Sequence, residues 1–369
     1  MLFPVDRLQK LSADIFIAAG CSPDEAGCIA AHLVEANLMG HDSHGVIRIP
    51  SYIQWMNAGK VLPNRKVTTV FENDVIAILD GEYGFGQSIG KQAMQIGIEK
   101  SSKHGVAVVG LRNTGHLGRI GAWADMAVKA NKVSLHFVNT SGAGLLVAPF
   151  GGIERRLSAN PFAAGIPVPG GEPVVLDMSA CTIAEGKIRV ALNKGVSVPD
   201  GCLIDAKGEP TNDPRVFYAN PPGAILPIAG HKGFGLGMII EFFAGALTAG
   251  SCTNPKNANR LANGMLTILL DYSVFLSAES FAEEVRRYVD FVKSAATAPG
   301  VDEILMPGEI ERKNRKRRTE QGIDLDDTTW SQIHATAQSL NVAHDFPPPT
   351  GDGAASQAGL SLPALDGKK

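Results

Sequence analysis

An imidazole stands in a glycine-rich segment at the point where a predicted strand ends. The stretch NTGHLGRIG, residues 113–121, follows the apolar run VAVVGL and precedes a predicted helix, AWADMAVKA. Glycine lets a ligand approach the backbone closely, and histidine exchanges a proton near neutral pH. His116 is therefore a candidate acid–base group beside a bound molecule, although a histidine in such a turn can also serve only to hydrogen-bond the loop.

Two further glycine-containing segments carry polar side chains of complementary chemistry. Ser43, His44 and Arg48 lie within GHDSHGVIR, and His231 and Lys232 lie within GHKG. A guanidinium binds a carboxylate through two parallel hydrogen bonds. A carboxylate clamp combined with a proton-transferring imidazole suits the oxidation of a 2-hydroxy acid, in which a base takes the hydroxyl proton. The hydride of that reaction needs a cofactor, because no side chain accepts one.

Other kinds of active site match the sequence less well. GFGQSIG (84–90) follows a predicted strand, but its glycine spacing departs by one residue from the dinucleotide-binding pattern GxGxxG. No GxxxxGK[ST], HExxH or CxxC occurs, and the residues of HDSH (41–44) are typical of a hydrogen-bonded turn, so no metal site is predicted. A serine hydrolase triad of Ser43, His116 and Asp177 remains an alternative, although Ser43 lacks the preceding strand of a nucleophile elbow.

Composition and charge exclude several classes of partner. The chain has 369 residues, of which 44% are apolar, so we expect about two domains with sizeable cores. A net charge of −3 and the lack of a long apolar run argue against nucleic-acid and membrane partners. The basic run ERKNRKRR (311–318) has no interleaved aromatic residue and is predicted to be a solvated helix face. Five unpatterned cysteines are typical of reduced thiols in a cytoplasmic protein.

Predicted helices at both chain ends flank a strand-rich middle. SPDEAGCIAAHLVEANLMG (22–40) predicts a helix with Ser22 as the N-cap and Gly40 as the stop. VTTVFENDVIAILDG (67–81) predicts two strands around a tight turn, and KVSLHFVN, PVVLDMS and MLTILLDYS predict further strands. Helices are expected near 278–295 and 328–340. The Pro- and Gly-rich stretch from 346 to the end predicts a disordered tail.

Six segments in conserved order resemble the malate/L-lactate dehydrogenase family, which is unrelated to the Rossmann-fold enzymes of similar name. The segments are GHDSHGVIRIPSYIQWMNAGKV, NTGHLGRIGAWA, VAPFGG followed by LSANPFAAGIP, LIDAKGEPTNDP, GHKGFGLGMIIEFFAGALTAG and LMPGEIE. The resemblance covers about residues 5–342 and is greatest to the hydroxycarboxylate dehydrogenase B branch of the family.

The resemblance implies an α/β (α+β-like) fold. It implies a non-Rossmann NAD(P)-binding domain with a large, mainly antiparallel sheet at 73–275, a helix-rich domain from both chain ends at 1–72 and 276–345, and a tail at 346–369. The implied function is that of an NAD(P)-dependent 2-hydroxycarboxylate dehydrogenase, acting as a homodimer on a small 2-hydroxy or 2-oxo acid. NAD is the cofactor favoured by the nearest branch, with NADP possible. A cyclic-imine reductase on the same scaffold is an alternative.

The resemblance also assigns roles to individual residues. His116 is the implied acid–base residue, and Ser43, His44 and Arg48 are the implied substrate and nicotinamide positions. The residues implied to bind the cofactor are His44, Gly118, Arg119, Ile120, Val175, Leu176, Asp177, Met178, Ser179, His231, Lys232, Asn263, Met306, Pro307, Gly308 and Glu309. Asn139, Thr140 and Ser141 occupy a segment in which some relatives carry a lysine, so the identity of the substrate stays open.

Overall fold

The computed structural model describes residues 1–142, 144–254 and 261–349. The helices are α1 (Val5–Ala18), α2 (Pro23–Leu38), α3 (Ile49–Asn57), α4 (Gly86–His104), α5 (Gly121–Lys129), α6 (Glu185–Lys194), α7 (His231–Ile240), α8 (Ala278–Lys293), α9 (Glu309–Gln321) and α10 (Asp327–Ser339). The strands are β1 (Leu2–Phe3), β2 (Thr68–Glu72), β3 (Ile76–Asp80), β4 (Val106–Thr114), β5 (Val133–Gly142), β6 (Pro161–Ile166), β7 (Val174–Ser179), β8 (Leu203–Ile204), β9 (Pro210–Thr211), β10 (Ala224–Ile225), β11 (Leu261–Leu270) and β12 (Ile323–Asp324). Further helical turns lie at Asp42–His44, Val46–Arg48, Pro214–Tyr218, Glu241–Ala246 and Tyr272–Val274.

Seven of these strands form a sheet in the order β2-β3-β4-β11-β5-β6-β7. The pair β3–β4 is parallel, whereas the other neighbouring strands of this sheet run antiparallel. A Rossmann sheet is mostly parallel, because each helical crossover brings the chain back to the end of the sheet where the previous strand began, so the next strand runs in the same direction. The predicted α/β fold with a mainly antiparallel, non-Rossmann sheet is therefore confirmed.

Both faces of the sheet are covered, which explains the nearly continuous apolar sequence of β11. Side chains alternate along a strand, so Met265 and Leu269 face one side and Leu266 the other. The first two pack in a core with residues of α4 and α5, including Trp123. Leu266 packs in a separate core with Ile240 of α7. Strands that are buried on both faces are typically apolar throughout rather than alternating.

A second core joins the two ends of the chain. Phe3 in β1, Leu33 in α2 and Trp330 in α10 are fully buried in it, and β1 pairs with β12. Phe346 packs into the same core, with its ring 5.0 Å from that of Phe3. The prediction of disorder is therefore wrong at residue 346, where the aromatic side chain is packed because it buries apolar area. Residues 350–369 of the predicted tail lie outside the described residues. The predicted domain boundaries themselves stay a prediction.

The N-cap of α2 forms as the sequence predicts. The Ser22 hydroxyl accepts a hydrogen bond from the Glu25 backbone nitrogen at 3.3 Å, and Pro23 is the first helical residue. The Glu25 side chain does not complete a capping box. It accepts hydrogen bonds from the Asn64 backbone nitrogen at 2.6 Å and from the Ser88 hydroxyl at 2.9 Å. The helix is thus tied to the segment before the sheet and to α4.

A third core supports α6 beside the small sheet β10-β8-β9. Ile188 of α6 and Leu203 of β8 are completely buried in it, together with Phe217. The core fixes the direction of α6, whose first turn faces the 3₁₀ turn at Asp42–His44: a Cβ on Gly186 would lie 2.5 Å from the Ser43 Cβ.

The apolar segment that begins with α7 carries a buried carboxylate. Glu241 accepts hydrogen bonds from the side-chain amides of Asn139 and Asn160, each at 3.0 Å, and from the Thr253 backbone nitrogen at 2.9 Å. These donors satisfy the charge in a site where an unpaired carboxylate would be strongly destabilising. Within the described ranges, no helix combines the length and the apolar composition that a membrane crossing requires.

Candidate active site

The turn that carries His116 lies between β4 and α5 and is fastened from two sides. The Leu117 backbone nitrogen donates a hydrogen bond to the Asn263 side chain on β11 at 2.8 Å. The Arg119 backbone nitrogen donates to His32 Nε2 on α2 at 3.0 Å. The turn therefore links the sheet to the helices at the chain ends. His32 was not predicted from the sequence, because a histidine inside a regular helix gives no local signal of a partner 87 residues away.

The imidazole of His116 is held by a tyrosine and a glutamine. Its Nδ1 lies 2.7 Å from the Tyr52 hydroxyl on α3, and Gln87 Nε2 donates to that hydroxyl at 3.0 Å. Gln87 also donates to the His116 carbonyl oxygen at 3.1 Å. Burial raises the pKa of Tyr52 to about 12, so the phenol is neutral at physiological pH. Tyr52 was not predicted from the sequence, although its position four residues after Arg48, about one helical turn away, was an available signal.

Both imidazoles of the site are neutral at physiological pH. Burial, with a further effect of the Arg48 charge and of His32, lowers the pKa of His116 to about 3. Burial also lowers the pKa of His44 well below its ordinary value, with His116 and Arg48 adding to the effect. The two rings stack with their centroids 5.5 Å apart and their planes 14° apart. A neutral, oriented imidazole is the form that can accept a proton.

Arg48 presents its guanidinium beside these rings. Its Nε donates to the Ser43 carbonyl oxygen at 2.6 Å, and within the part of the chain that the structure describes its terminal nitrogens have no hydrogen-bond partner. The turn that carries Ser43 is anchored by Asn37, whose side chain accepts from the Val46 backbone nitrogen at 2.8 Å. Arg48 can therefore bind a carboxylate through the fork of its two terminal nitrogens.

The serine hydrolase alternative is wrong on geometry. His116 Nδ1 is bound to Tyr52, and the hydrogen-bond partner of the Ser43 hydroxyl is His44 Nδ1 at 3.2 Å. Asp177 accepts instead from the Gly121 backbone nitrogen at 2.9 Å. A triad requires its serine, histidine and acid to be hydrogen-bonded in series. Because Asp177 is bound to the first residue of α5, the three side chains do not form such a hydrogen-bonded series.

The remaining residues of HDSH make side-chain contacts with α9. His41 Nε2 lies 3.3 Å from Glu311, and Asp42 is paired with Arg318 at 2.6 Å. Arg315 on the same basic helix is paired with Glu35 of α2 at 2.8 Å. Several cations of the run ERKNRKRR thus attach α9 to the α2 region.

Several residues of the predicted cofactor set line a cleft of about 430 Å³ between α2, α5, β7 and α9. Arg119, Val175, Asp177 and Gly308 contribute to its walls. The Val175 backbone nitrogen donates to the Pro307 carbonyl oxygen at 3.1 Å, which joins the two predicted cofactor segments. Arg119 is almost completely buried, and its Nε lacks a protein partner. A buried donor in a cleft wall fits a ligand with oxygen acceptors.

Arg119 is otherwise fixed by carboxylates. Its guanidinium is hydrogen-bonded to Asp125 and lies 3.8 Å from Asp177. Burial raises the pKa of Asp177, although Arg119 and the Gly121 backbone nitrogen oppose the shift.

The other residues predicted to bind the cofactor lie in different surroundings. His231 and Lys232 are exposed at the start of α7, whereas Ile120 is buried in the core between α5 and the sheet. Gly118 has a φ of 74°, and a Cβ there would lie 2.2 Å from His32 Nε2. Three further positions already have partners within the protein. The Ser179 hydroxyl donates to the Cys181 carbonyl oxygen, the Met306 backbone nitrogen donates to the Glu309 carboxylate, and Glu309 also pairs with Lys293. Leu176 and Met178 alternate along β7 with the residues that line the cleft.

Two asparagines are internal supports. Asn263 is 3% exposed, and its amide donates to the Asn139 carbonyl at 2.9 Å and to the Thr140 hydroxyl at 3.0 Å. Asn139, in the segment where some relatives carry a lysine, is fully buried and donates to Glu241. These contacts form one polar network that runs from Glu241 to the backbone beside His116.

We expect the free energy of unfolding to fall as the pH is lowered from about 7 to about 5. His32, His116 and His136 have pKa values of about 3 because they are buried, whereas an unfolded histidine titrates near 6.5. Below that pH the unfolded chain binds protons that the folded protein does not. The stability is therefore complete above pH 6.5 and is lost on acidification, by up to about 4 kcal/mol per pH unit for three groups.

Urea denaturation across this pH range tests the expectation. His136→Gln should reduce the slope of the unfolding free energy against pH by about one proton, because it removes one buried histidine. The His136 side chain is bonded to Thr267 and Ser134, away from the His116 turn. A stability that does not vary between these pH values would contradict the buried, neutral state of the histidines.

Comparison with known proteins gives the family and the fold that this chain resembles. The family model for malate/L-lactate dehydrogenase matches residues 3–334. Hydroxycarboxylate dehydrogenase B of Escherichia coli (strain K12) is 38% identical over 349 residues, covering 93% of this chain and 95% of that protein. The solved sulfolactate dehydrogenase of Methanocaldococcus jannaschii is 33% identical with a TM-score of 0.83, covering 93% of this chain and 98% of that one. The solved delta1-piperideine-2-carboxylate reductase of Pseudomonas syringae is 27% identical with a TM-score of 0.78, covering 91% and 100%.

Proposed function

This chain belongs to the malate/L-lactate dehydrogenase family, and on that premise we propose that it interconverts a 2-hydroxy acid and the corresponding 2-oxo acid with a nicotinamide cofactor. The observation that carries the proposal is the proximity of the Arg48 charge, whose terminal nitrogens have no partner among the described residues, to the neutral imidazole of His116. One group binds a carboxylate and the other moves a proton. The cofactor supplies the hydride acceptor or donor, which no side chain provides.

In the oxidative direction, Arg48 holds the substrate carboxylate and His116 takes the hydroxyl proton. The Tyr52 oxygen has two lone pairs, which can accept the hydrogens of Gln87 and of His116 Nδ1. That tautomer leaves the lone pair of His116 Nε2 free for the substrate. Once His116 is protonated, the same Nδ1–H bond to Tyr52 persists, so the ring does not need to turn.

In the reductive direction, protonated His116 gives its proton to the substrate oxygen. The Arg48 charge is one of the causes that lower the pKa of His116. A carboxylate bound to Arg48 offsets this charge, so substrate binding itself raises the pKa of the imidazole. His116 is therefore more easily protonated when the substrate is bound than in the free protein, although burial still opposes its protonation.

We propose NAD rather than NADP as the preferred cofactor. Among the described residues of the cleft, each guanidinium has a carboxylate partner: Arg119 is paired with Asp125, Arg312 with Glu172 and Arg315 with Glu35. A ribose 2′-phosphate would have to compete with these carboxylates. A KM for NADPH lower than that for NADH would overturn this assignment.

We also propose a homodimer located in the cytoplasm. The face of α7 and its continuation that points away from the sheet exposes Ile239, Phe242 and Leu247. A contiguous exposed apolar surface of this kind is typical of a protein–protein contact. Sedimentation velocity of the wild type against Phe242→Glu tests the contact, with the variant expected to be monomeric. All five cysteines are free, which is consistent with a reducing compartment.

The cyclic-imine reductase stays as a second candidate, supported by the likeness to the solved piperideine-carboxylate reductase. Such a substrate also carries a carboxylate for Arg48. One assay separates the two: NADH and NADPH consumption with a panel of 2-oxo acids and of cyclic ketimine carboxylates. Reduction of 2-oxo acids with little reduction of ketimines supports the proposed function, and the reverse pattern overturns it.

Gly86→Ala is expected to lower kcat for the preferred 2-oxo acid about 100-fold, since a displacement of about 1 Å can have that effect. A Cβ at Gly86 would lie 2.2 Å from the His116 carbonyl oxygen and 2.6 Å from that of Gly115. Both are backbone atoms, so the turn must move. Gly27→Ala in α2 is the matched control, because its Cβ would meet nothing within 4 Å. Equal kcat in the two variants would contradict the tight packing of the turn.

A further inference from the structure

The first turn of α6 forms a wall of the site that no motif had indicated. Gly186 has no room for a side chain, because its Cβ would lie 2.5 Å from the Ser43 Cβ. The preceding residue, Glu185, is near enough to Arg48 for that charge to act on it. Burial opposes the ionisation of Glu185, but the charges of Arg189 and Arg48, together with the hydrogen bonds from Tyr218 and Arg189, lower its pKa. Glu185 is therefore an ionised carboxylate beside the proposed carboxylate clamp.

Glu185 is in turn held by two side chains. Its Oε1 accepts hydrogen bonds from Arg189 Nη2 at 2.7 Å and from the Tyr218 hydroxyl at 2.8 Å. The Glu185 side chain is 13% exposed, whereas that of Arg189 is 32% exposed. Arg189 is thus accessible at the edge of the site, but its guanidinium is already occupied by Glu185.

We propose that Glu185 makes the site selective for 2-oxo acids with a single carboxylate and disfavours dicarboxylates. The inference rests on the function proposed above and names the substrate class. Glu185 is paired with Arg189, which leaves the terminal nitrogens of Arg48 for one substrate carboxylate. A second carboxylate on the substrate would be repelled by Glu185 and would have to displace it from Arg189, which is a common way to reject a competing ligand.

Glu185→Gln tests the proposal with two substrates of equal chain length. Glutamine keeps the shape and can still accept from Tyr218, but it removes the negative charge and releases Arg189. The ratio of kcat/KM for oxaloacetate to kcat/KM for 2-oxobutyrate is expected to rise about 10- to 100-fold, the effect typical of a hydrogen bond to a charged group. Because both substrates meet the same folded protein, a general loss of active enzyme cancels in the ratio.

Arg189→Gln provides a second, opposite test. The substitution removes the positive charge of Arg189 and leaves Glu185 without its ion-pair partner. The ratio of kcat/KM for oxaloacetate to kcat/KM for 2-oxobutyrate should therefore fall below the wild-type value. Glu284→Gln is the matched control, because Glu284 forms a comparable pair with Arg287 on the exposed face of α8. The control should reproduce the wild-type ratio.

The results distinguish failure of the proposed selectivity from failure of the proposed function. A wild type that reduces 2-oxo acids, together with an unchanged ratio in Glu185→Gln, overturns the selectivity and leaves the proposed function intact. A ratio that moves in the same direction in both variants also overturns it. A wild type that reduces neither probe nor any other 2-oxo acid overturns the proposed function and the inference together.

Discussion

His116→Ala is expected to lower kcat for 2-oxo acid reduction about 10²- to 10⁴-fold, the usual contribution of a general acid. The side chain lies in the site with its Nδ1 bound by Tyr52, and no other described imidazole beside it has that support. His44 stacks on it, but its Nδ1 is bound to Ser43. The variant therefore loses the proton donor while Arg48 still binds the substrate.

Steady-state kinetics with a thermal unfolding curve for each variant make this measurement. His104→Ala replaces an exposed histidine at the end of α4 and should behave as the wild type. Added imidazole should restore part of the activity of His116→Ala, because its protonated form can enter the space that the side chain leaves and donate the proton. A folded variant with unchanged kcat would reject His116 as the acid–base residue.

Arg48→Lys is expected to raise the KM for a 2-oxo acid about 10- to 100-fold, which corresponds to the loss of a charge-assisted hydrogen bond. Lysine keeps the charge, but a single ammonium cannot reproduce the two parallel bonds of a guanidinium. Lysine also cannot reproduce the Nε contact that Arg48 makes to the Ser43 carbonyl oxygen. The side chain thus loses its orientation as well as its fork.

The comparison of pyruvate with methyl pyruvate isolates the clamp. The ester lacks the carboxylate, so Arg48→Lys should change its reduction much less than that of pyruvate. Arg112→Lys is a suitable control, because Arg112 also forms a hydrogen bond through its Nε, with Asp80 at 2.9 Å, but does so on the sheet. Equal effects of Arg48→Lys on the two substrates would show that Arg48 does not bind the carboxylate.

Local sequence predicted the parts of the site that depend on local preference. The N-cap of α2, the strands β2 and β3 and the glycine turn around His116 follow from residues that are neighbours in the chain. The types of Arg48 and His116 were enough to suggest a carboxylate clamp and a proton carrier. The mainly antiparallel character of the sheet was implied by the family resemblance, whereas the order of its strands was not predicted, because periodicity indicates which face of a strand is buried and not which strand lies next to it.

Tertiary structure decided which polar groups meet and what charge they carry. Tyr52 and His32 reach the His116 turn from 64 and 87 residues away, and Glu185 is subject to the Arg48 charge only because a separate core directs α6. Folding also bound Asp177 to the Gly121 backbone nitrogen rather than to a histidine, and it placed the Asn139 side chain on the Glu241 carboxylate. The physical reason is that a buried polar group must find partners wherever the packed chain supplies them, and its pKa depends on that burial. The types and spacing of residues along the chain specify neither the partners of a buried group nor the extent of its burial.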